Sequence, residues 1–380
     1  MKIKTLQLQN FRKYEDSTFC FHPQFTVMIG DNASGKTSVL EALSVMLGTY
    51  HLRSNVGSSR MGIRKEEVRV AIHDKFDQVS VEEQTPSLLS AKGSLHGTPL
   101  SWSRTFGDRG KDAKEMINTG ARDIDSVRKG EDVTLPVFQY YGTGRLWDSH
   151  RKITINKPES RLAGYQNCFD PKSDHSLFKR WFKQLELAAI QKQKPIGALE
   201  AVRGAVKQCI PGAEHFYYDV SHDALMIVFG KEGYSLFDNL SDGYRNMLAM
   251  VADIAHRAAR LNPHFESRAA LESPGVVLID EIDLHLHPKW QRHVVGDLQR
   301  AFPNLQFIVT THSPFILQSM KPGGVIDLNS VKSVEEAELM EDGIAWPGPG
   351  DPYADRSIED IVEGSMGVNL PQRSQRYMKR

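Results

Sequence analysis

The chain has only three cysteines, Cys20, Cys168 and Cys209, and no Cys-x-x-Cys pair. An odd, widely spaced set argues against a disulfide framework or a structural zinc site, and it fits a reducing, cytoplasmic setting. No apolar run approaches the length of a membrane span. The amino terminus, Met1 to Gln9, alternates apolar and polar residues, so it reads as a strand and not as the core of a secretory leader. A membrane-transport subunit would have to borrow its membrane part from another chain. Net charge is also missing, since 47 Lys and Arg face 47 Asp and Glu. The field of the whole protein therefore draws it neither toward nucleic acid nor away from it, and any basic surface must be local. There is no internal repeat, and no heptad run is long enough for a coiled coil. With 40% apolar and 25% charged residues, what remains is a soluble globular chain with a sizeable core, one large domain or two modest ones.

Apolar spacing sets out the elements. Ile3, Leu6 and Leu8, then Phe19 and Phe21, then Phe25 to Ile29 predict three strands. A helix over Ser38 to Leu47 follows, with Val39, Leu40, Leu43 and Leu47 on one face. Strand patterns recur at Val68–Ile72, Val79–Val81, Ser101–Phe106 and Leu135–Tyr141, while the polar stretch 107–132 reads as a loop or lobe tip. A helical stretch is expected over 175–208, with Leu177, Trp181, Leu185 and Ala188 in phase, and two strands at Phe216–Val220 and Leu225–Phe229. Pro347 to Pro352 is a turn-rich linker, and Ser357 opens a capped helix before a basic end.

Four motifs carry chemistry. Gly30-Asp-Asn32-Ala33-Ser34-Gly35-Lys36-Thr37 lies between an apolar strand and a helix that opens at Ser38, the context of a phosphate loop. Its N–H groups would cradle phosphates. Lys36 would reach the outer phosphates of ATP and Thr37 would ligate Mg2+. Val276 to Ile279 is a buried-strand run ending in Asp280-Glu281, with Asp280 suited to Mg2+ and Glu281 to the attacking water. His312 stands just past the next strand, Leu305–Val309, where it would sense the outer phosphate. Leu240-Ser241-Asp242-Gly243 precedes an apolar helix. Ser241 could simply cap that helix. Alternatively, Ser241 and the Gly243 N–H point at a phosphate, and since Lys36 already holds one ATP, the natural target is the ATP of a second chain.

The four motifs together resemble the ABC-type ATPases of the RecF, SMC and OLD group. Asn10-Phe11-Arg12 after the first strand, Asp280 to Pro288 and Thr310-Thr-His-Ser-Pro314 are similar to that group's remaining landmarks. The resemblance implies an α/β ATPase head: a phosphate-loop core sheet with a strand-rich subdomain and a helical lobe. It implies that Asp283 lies at a dimer interface, that Arg12 reaches the nucleotide, and that Gln139, after a strand, reads the Mg2+ and the water. The expected division is an ATPase domain over 1–346 and a linker with a terminal helical segment over 347–380. Within the first, 1–150 is an amino-terminal lobe with a strand-rich insertion at 50–132, 151–235 a helical arm, and 236–346 the lobe of the last three motifs.

Tyr140 to Trp147, Asp283 to Pro288, Ser357 to Glu363 and Pro371 to Ser374 extend the resemblance to PtuA-type anti-phage ATPases of Septu and retron-linked systems. These pair with an HNH nuclease. The chain stops soon after Ser374, where related proteins often continue, so a partner-binding region is expected to be missing. Two secondary patterns have plain readings. His285 and His287 fit packing of the interface loop better than a metal site. Arg145, His150, Arg151, Lys152, Lys179, Arg180, Lys183, Lys192 and Lys194 fit a DNA track and solvated faces equally.

The leading expectation is an ATP-driven homodimeric switch controlling a separate nuclease. The alternatives are a repair ATPase that clamps DNA and a scaffold with little turnover. A transporter motor is the weakest reading. A self-contained nuclease is disfavoured, because too few residues follow His312 for the Toprim domain of OLD proteins.

Overall fold

The computed structural model of the chain describes residues 1–53, 62–75, 78–107, 111–144, 160–171, 175–230, 233–321, 323–329, 339–340, 343–344 and 353–366. Arg145 to Lys152, the 347–352 linker and the Pro371–Ser374 motif with the basic end lie outside the described residues. β1 (Lys2–Phe11), β2 (Tyr14–Cys20) and β3 (Phe25–Ile29) lead into α1 (Lys36–Gly48). β4 (Val70–Lys75), β5 (Gln78–Glu83), β6 (Leu88–Leu95) and β7 (Thr98–Thr105) precede α2 (Lys114–Arg128) and β8 (Val137–Tyr141). α3 (His175–Lys192) and α4 (Gly197–Cys209) precede β9 (Ala213–Asp219), β10 (Ala224–Phe229) and β11 (Gly233–Leu236). α5 (Asp242–Leu261), α6 (Ala269–Glu272) and β12 (Gly275–Ile279) follow. Then come α7 (Pro288–Gln291), α8 (Val294–Ala301), β13 (Leu305–Thr310), α9 (Pro314–Gln318) and β14 (Val325–Asp327). β15 (Leu339–Met340), β16 (Gly343–Ile344) and α10 (Ile358–Gly364) complete the order.

A parallel sheet ordered β14-β3-β13-β12-β8 forms the middle layer. Every residue of β3, β8, β12 and β13 is buried, as continuous apolar strands require when both faces are covered. β3 and β12, which carry the Gly30 loop and the acidic pair, are not neighbours: β13 lies between them.

An antiparallel sheet ordered β2-β1-β6-β7 forms the amino-terminal lobe. α1 is buried at nearly every position from Val39 to Gly48 and not on one face alone, because it is wedged between this lobe and the core sheet. Trp102 Nε1 of β7 donates to Met46 O of α1 at 3.0 Å. The buried Gln306 amide of β13 ties the two sheets. Its Oε1 accepts from Ile3 N at 2.7 Å, and its Nε2 donates to Ile3 O at 2.8 Å and His22 O at 3.0 Å. A polar group so deep is stable only when its bonds are made.

Two sequence expectations change. The stretch 107–132 is not a loop throughout, since it contains α2, whose Met116, Ile117, Gly120 and Ile124 are buried. Their apolar signal is diluted by the many polar residues of the outer face. Gly120 is there for close approach, as a Cβ would stand 2.0 Å from Tyr50 O. The helix expected over 175–208 is two helices, broken where Gln193 takes a φ of 49° and Pro195 disfavours helix in the residue before it. The most buried row of α3 is Phe178, Phe182 and Glu186, with Trp181 and Leu185 beside it. The terminal helical segment adds a contact of its own. Ser357 does cap α10, with Asp360 completing the capping box, and α10 packs on α9. Ile361 and Tyr353 are buried, and Gln318 Nε2 donates to Arg356 O at 3.2 Å.

A buried ion pair locks α5 to the sheet. Tyr141 Oη donates to Asp253 Oδ2 at 2.7 Å, and Arg257 Nε donates to the same oxygen at 2.9 Å. Arg257 Nη1 also donates to Gly164 O at 2.8 Å and Gln166 O at 3.0 Å. Burial opposes the charge on Asp253, but the guanidinium and the His256 contact outweigh it and hold the carboxyl well below its usual range. The pair's contribution is therefore complete above the unfolded carboxylate pKa of about 4 and is lost as pH falls through the lower folded value. We expect Arg257→Met to cost roughly 3–5 kcal/mol at pH 7, because it strands the Asp253 charge. Urea unfolding checks this, and the gap from wild type should narrow below pH of about 4. A loss under about 1 kcal/mol at pH 7 would show that the pair is not buried as described.

Candidate functional site

Parallel α/β sheets bind ligands at their carboxyl edge. Here that edge gathers Gly30 after β3, Asp280 after β12, Thr310 and His312 at the end of β13, and Asn329 after β14. Asn329 Oδ1 accepts from Asp31 N at 3.1 Å. Gly30 and Gly35 take φ values of 144° and 94°, and Ala33 takes 64°. A Cβ at Gly30 would stand 2.7 Å from Ser34 Oγ, and one at Gly35 would stand 2.5 Å from Tyr14 Oη. Only glycine fits both positions, which is how backbone N–H groups come to line a concave loop at a helix start. Ser34 Oγ is buried there without a hydrogen-bond partner among the described residues.

Lys36 Nζ donates to Gly30 O at 2.6 Å and Asp31 O at 2.9 Å, so the ammonium lies across the loop. Burial pushes its pKa down, Asp280, Glu281 and Asp31 push it up, and the nearby Lys13 charge pushes it down again. Thr37 Oγ1 donates to Asp280 Oδ2 at 2.8 Å. Thr310 Oγ1 donates to the other oxygen, Asp280 Oδ1, at 2.6 Å, and accepts from Glu281 N at 2.7 Å. Glu281 itself has a φ of 50°, a conformation that a non-glycine residue keeps only when its surroundings hold it. Thr37 and Asp280 thus present the hydroxyl and carboxylate oxygens that Mg2+ favours, beside a glycine cradle and a lysine suited to phosphate. The residues present fit Mg2+ and a nucleoside triphosphate.

The remaining candidates fall into two groups. Thr311 Oγ1 donates to Asp283 Oδ1 at 2.5 Å, and Ser313 N donates to Thr311 Oγ1 at 3.0 Å, which fixes the chain on either side of the exposed His312. The start of α5 rests on the turn after Asp283. Asn246 Nδ2 donates to Leu284 O at 3.1 Å, and a Cβ at Gly243 would stand 2.4 Å from His285 O. Ser241 precedes α5 but makes no side-chain cap bond, and it is exposed. Asn32 and Ala33 are exposed at the loop's crest, and Ser38 is half-buried at the start of α1.

Gln139 does not follow a strand. It stands inside β8, opposite Val277, fully buried. Three residues of strand rise, about 10 Å, separate that level from Asp280. Tyr141 occupies the edge instead, accepting from Asp280 N at 2.8 Å. Arg12 is paired with carboxylates, as its Nη2 lies 2.5 Å from Glu41 Oε2 and 3.5 Å from Glu67 Oε1. His287 Nδ1 accepts from Lys289 N at 3.2 Å and caps α7, so this ring is a structural cap. Among the described residues no group of three or more His, Cys, Asp or Glu could hold a metal on its own. Lys183 is neutralised by Asp223, which removes one cation from the suggested DNA track.

Sequence reasoning missed Thr310, Lys13 and Tyr14. Thr310 sits inside a motif whose histidine drew the attention, yet its hydroxyl joins Asp280 to Glu281. Tyr14 Oη donates to Ser34 O at 3.2 Å, and Lys13 Nζ donates to Ala33 O at 3.3 Å. Only their position after Asn10-Phe11-Arg12 could have marked them.

A family described as an AAA domain matches residues 5–211, more than half of the chain, and the chain belongs to that family of ATPases. A second AAA-domain family matches residues 144–318. The chain is 25% identical to the retron Vc95 probable ATPase of Vibrio cholerae, over 84% of this chain and 72% of that protein. It is 41% identical to the Septu protein PtuA of Bacillus mycoides, over 85% of this chain and 40% of that protein. The SMC head domain from Thermotoga maritima superposes with a TM-score of 0.49 at 13% identity, covering 86% of this chain and 94% of that one. The resemblance to RecF/SMC-group and PtuA-type ATPases is borne out by these relatives and families. No described helix is long and apolar enough to cross a membrane.

Proposed function

We propose that the chain binds and hydrolyses ATP with Mg2+ at the carboxyl edge of its core sheet, in a site completed by Ser241 and Gly243 of a second copy. The observation that carries this reading is the Thr37–Asp280 hydrogen bond of 2.8 Å, which joins the glycine cradle to the acidic strand end across β13. Lys36 and the N–H groups of Gly30 to Ser38 hold the phosphates. Mg2+ held at Thr37 and Asp280 would draw charge from the outer phosphates. Glu281 orients the attacking water and takes its proton. His312, fixed between Thr311 and Ser313, donates to the outer phosphate. Gln139 has no part at the nucleotide in this reading.

The composite site is supported by the start of α5. Its helix is held by the turn of its own chain through Gly243 and Asn246, while the Ser241 hydroxyl is exposed and uncommitted to capping. A helix start with an unused hydroxyl suits an anion brought by another molecule. Asp283, anchored by Thr311, lies on the same turn and would meet the second copy.

The similarity to a retron ATPase and to a Septu PtuA supports a place in anti-phage defence, where the ATP-driven dimer would control a separate HNH nuclease. Direct clamping of DNA is the second reading. It is weakened by the Lys183–Asp223 pair, which leaves one cation fewer for a local basic track.

Three outcomes follow from the proposal. Glu281→Gln should bind ATP normally, lose at least about a hundredfold in turnover, and accumulate as dimers in sedimentation with ATP. Wild-type turnover would remove Glu281 from the chemistry. Ser241→Arg should bind ATP but fail to hydrolyse it, and mixing it with Lys36→Ala should restore part of the activity by pairing one intact half from each. Hydrolysis by Ser241→Arg at the wild-type rate would disprove the shared site. Finally, the purified chain should turn over ATP without cutting DNA, and cleavage should appear only with the partner from its native operon. Metal-dependent cutting by the chain alone, abolished by a substitution within it, would overturn the division of labour.

A further inference from the structure

Arg12, Lys13 and Tyr14 are consecutive, and each reaches a different part of the loop and helix that hold phosphate in the reading above. The Arg12 guanidinium is matched by two carboxylates, Glu41 on α1 and the fully buried Glu67. Arg12 N also donates to Glu67 O at 2.6 Å, so backbone and side chain are both fixed there. Lys13 differs. Its exposed ammonium donates to Ala33 O at 3.3 Å and lies 5.6 Å from the centre of the Tyr14 ring. Both are neutral groups, and among the described residues no carboxylate pairs with it. Tyr14, buried against Gly35, donates to the next carbonyl, Ser34 O, and keeps the turn seated on the loop.

A lysine ammonium has three donors on a flexible stem. One carbonyl leaves two for an anion in the cradle below. Lys13 lies at Ala33 O and Lys36 at Gly30 O and Asp31 O of the same loop, and two ammonium groups so placed repel unless an anion lies between them. We infer that Lys13, and not Arg12, is the second phosphate-binding cation of this site, joining Lys36 on the triphosphate of ATP. Arg12 then serves to neutralise Glu41 and Glu67, whose charges would otherwise oppose the nucleotide. The inference rests on the ATP-binding reading of the Gly30–Thr37 loop.

Equilibrium dialysis of Mg·ATP against the full chain tests it, in a Glu281→Gln background that halts turnover. Lys13→Gln should weaken binding about tenfold, the size of one charge-assisted hydrogen bond, and Lys13→Arg should stay within about threefold of the parent. The nucleotide-free melting temperature of Lys13→Gln should not move, because the side chain is exposed and forms no ion pair within the described structure. Parental affinity in Lys13→Gln, or equal loss in Lys13→Arg and Lys13→Gln, would overturn the inference. Lys36→Ala in the same assay separates the two levels. If it too keeps parental affinity, the phosphate-loop reading has failed. If it loses ATP while Lys13→Gln does not, only the role given to Lys13 has.

Discussion

The Asp280 carboxylate is held by two threonines from different parts of the sheet edge. Thr37 comes from the start of α1 and Thr310 from the end of β13. The same Thr310 hydroxyl accepts from Glu281 N and so sets the unusual backbone of the residue proposed to handle water. Three strands meet in this short chain of bonds, and the two made to the Asp280 carboxylate are charge-assisted, the stronger kind in a protein interior. Displacing any one member would move the cradle, the carboxylate and the water-handling residue relative to one another. The packing of α1 between two sheets and the Gln306 bridge from β13 to β1 make sense as the frame that keeps these three strand ends in register.

The strand order has a chemical consequence. With β13 between β3 and β12, the residues leaving β13 stand between the Gly30–Thr37 loop and the Asp280–Glu281 pair, which are proposed to hold phosphate and to act on it. His312 is placed by connectivity alone, and Thr311 and Ser313 restrain it from both sides. From the same place, α9 runs directly under α10, so the segment after the core is packed against the helix that follows His312. The start of α5 is tied to the turn after Asp283. Farther along α5 the Asp253–Arg257 pair ties the helix to β8 and to the 164–166 backbone. Strand ends, the turn after Asp283 and α5 are therefore joined through one continuous set of contacts. In the proposed composite site, such a connection would let a phosphate contact made by one copy bear on the other.

Much of the fold was legible because burial on both faces leaves an unmistakable record. Val276 to Ile279 and Leu305 to Val309 have no polar alternation, and each ends in the residues that matter. Elements with one wet face were harder to read. α2 was hidden by its polar side, and the helix expected over 175–208 ran through Pro195 because its apolar pattern continued on both sides of the break. The middle strand β6 of the amino-terminal lobe, mixed in composition and bounded by ordinary turns, carried too weak a pattern to be singled out.

Local chemistry by itself determined the Gly30–Thr37 loop, the Asp280–Glu281 pair, His312 and the Ser241 helix start, since spacing and strand or helix context specify such groups over a few residues. Tertiary structure decided where the remaining polar groups stand and what surrounds them. Gln139 looked suitable, yet parallel pairing with Val277 sets it deep in the sheet. Arg12 and Lys13 are adjacent cations that a sequence cannot rank. Only the fold, by bringing Glu41 and Glu67 to one and a neutral carbonyl of the loop to the other, gives them different electrostatic surroundings. The reason is general: a charge acts according to what lies within a few ångströms of it, and those neighbours come from α1, from the turn before β4 and from the Gly30 loop, all distant in the chain.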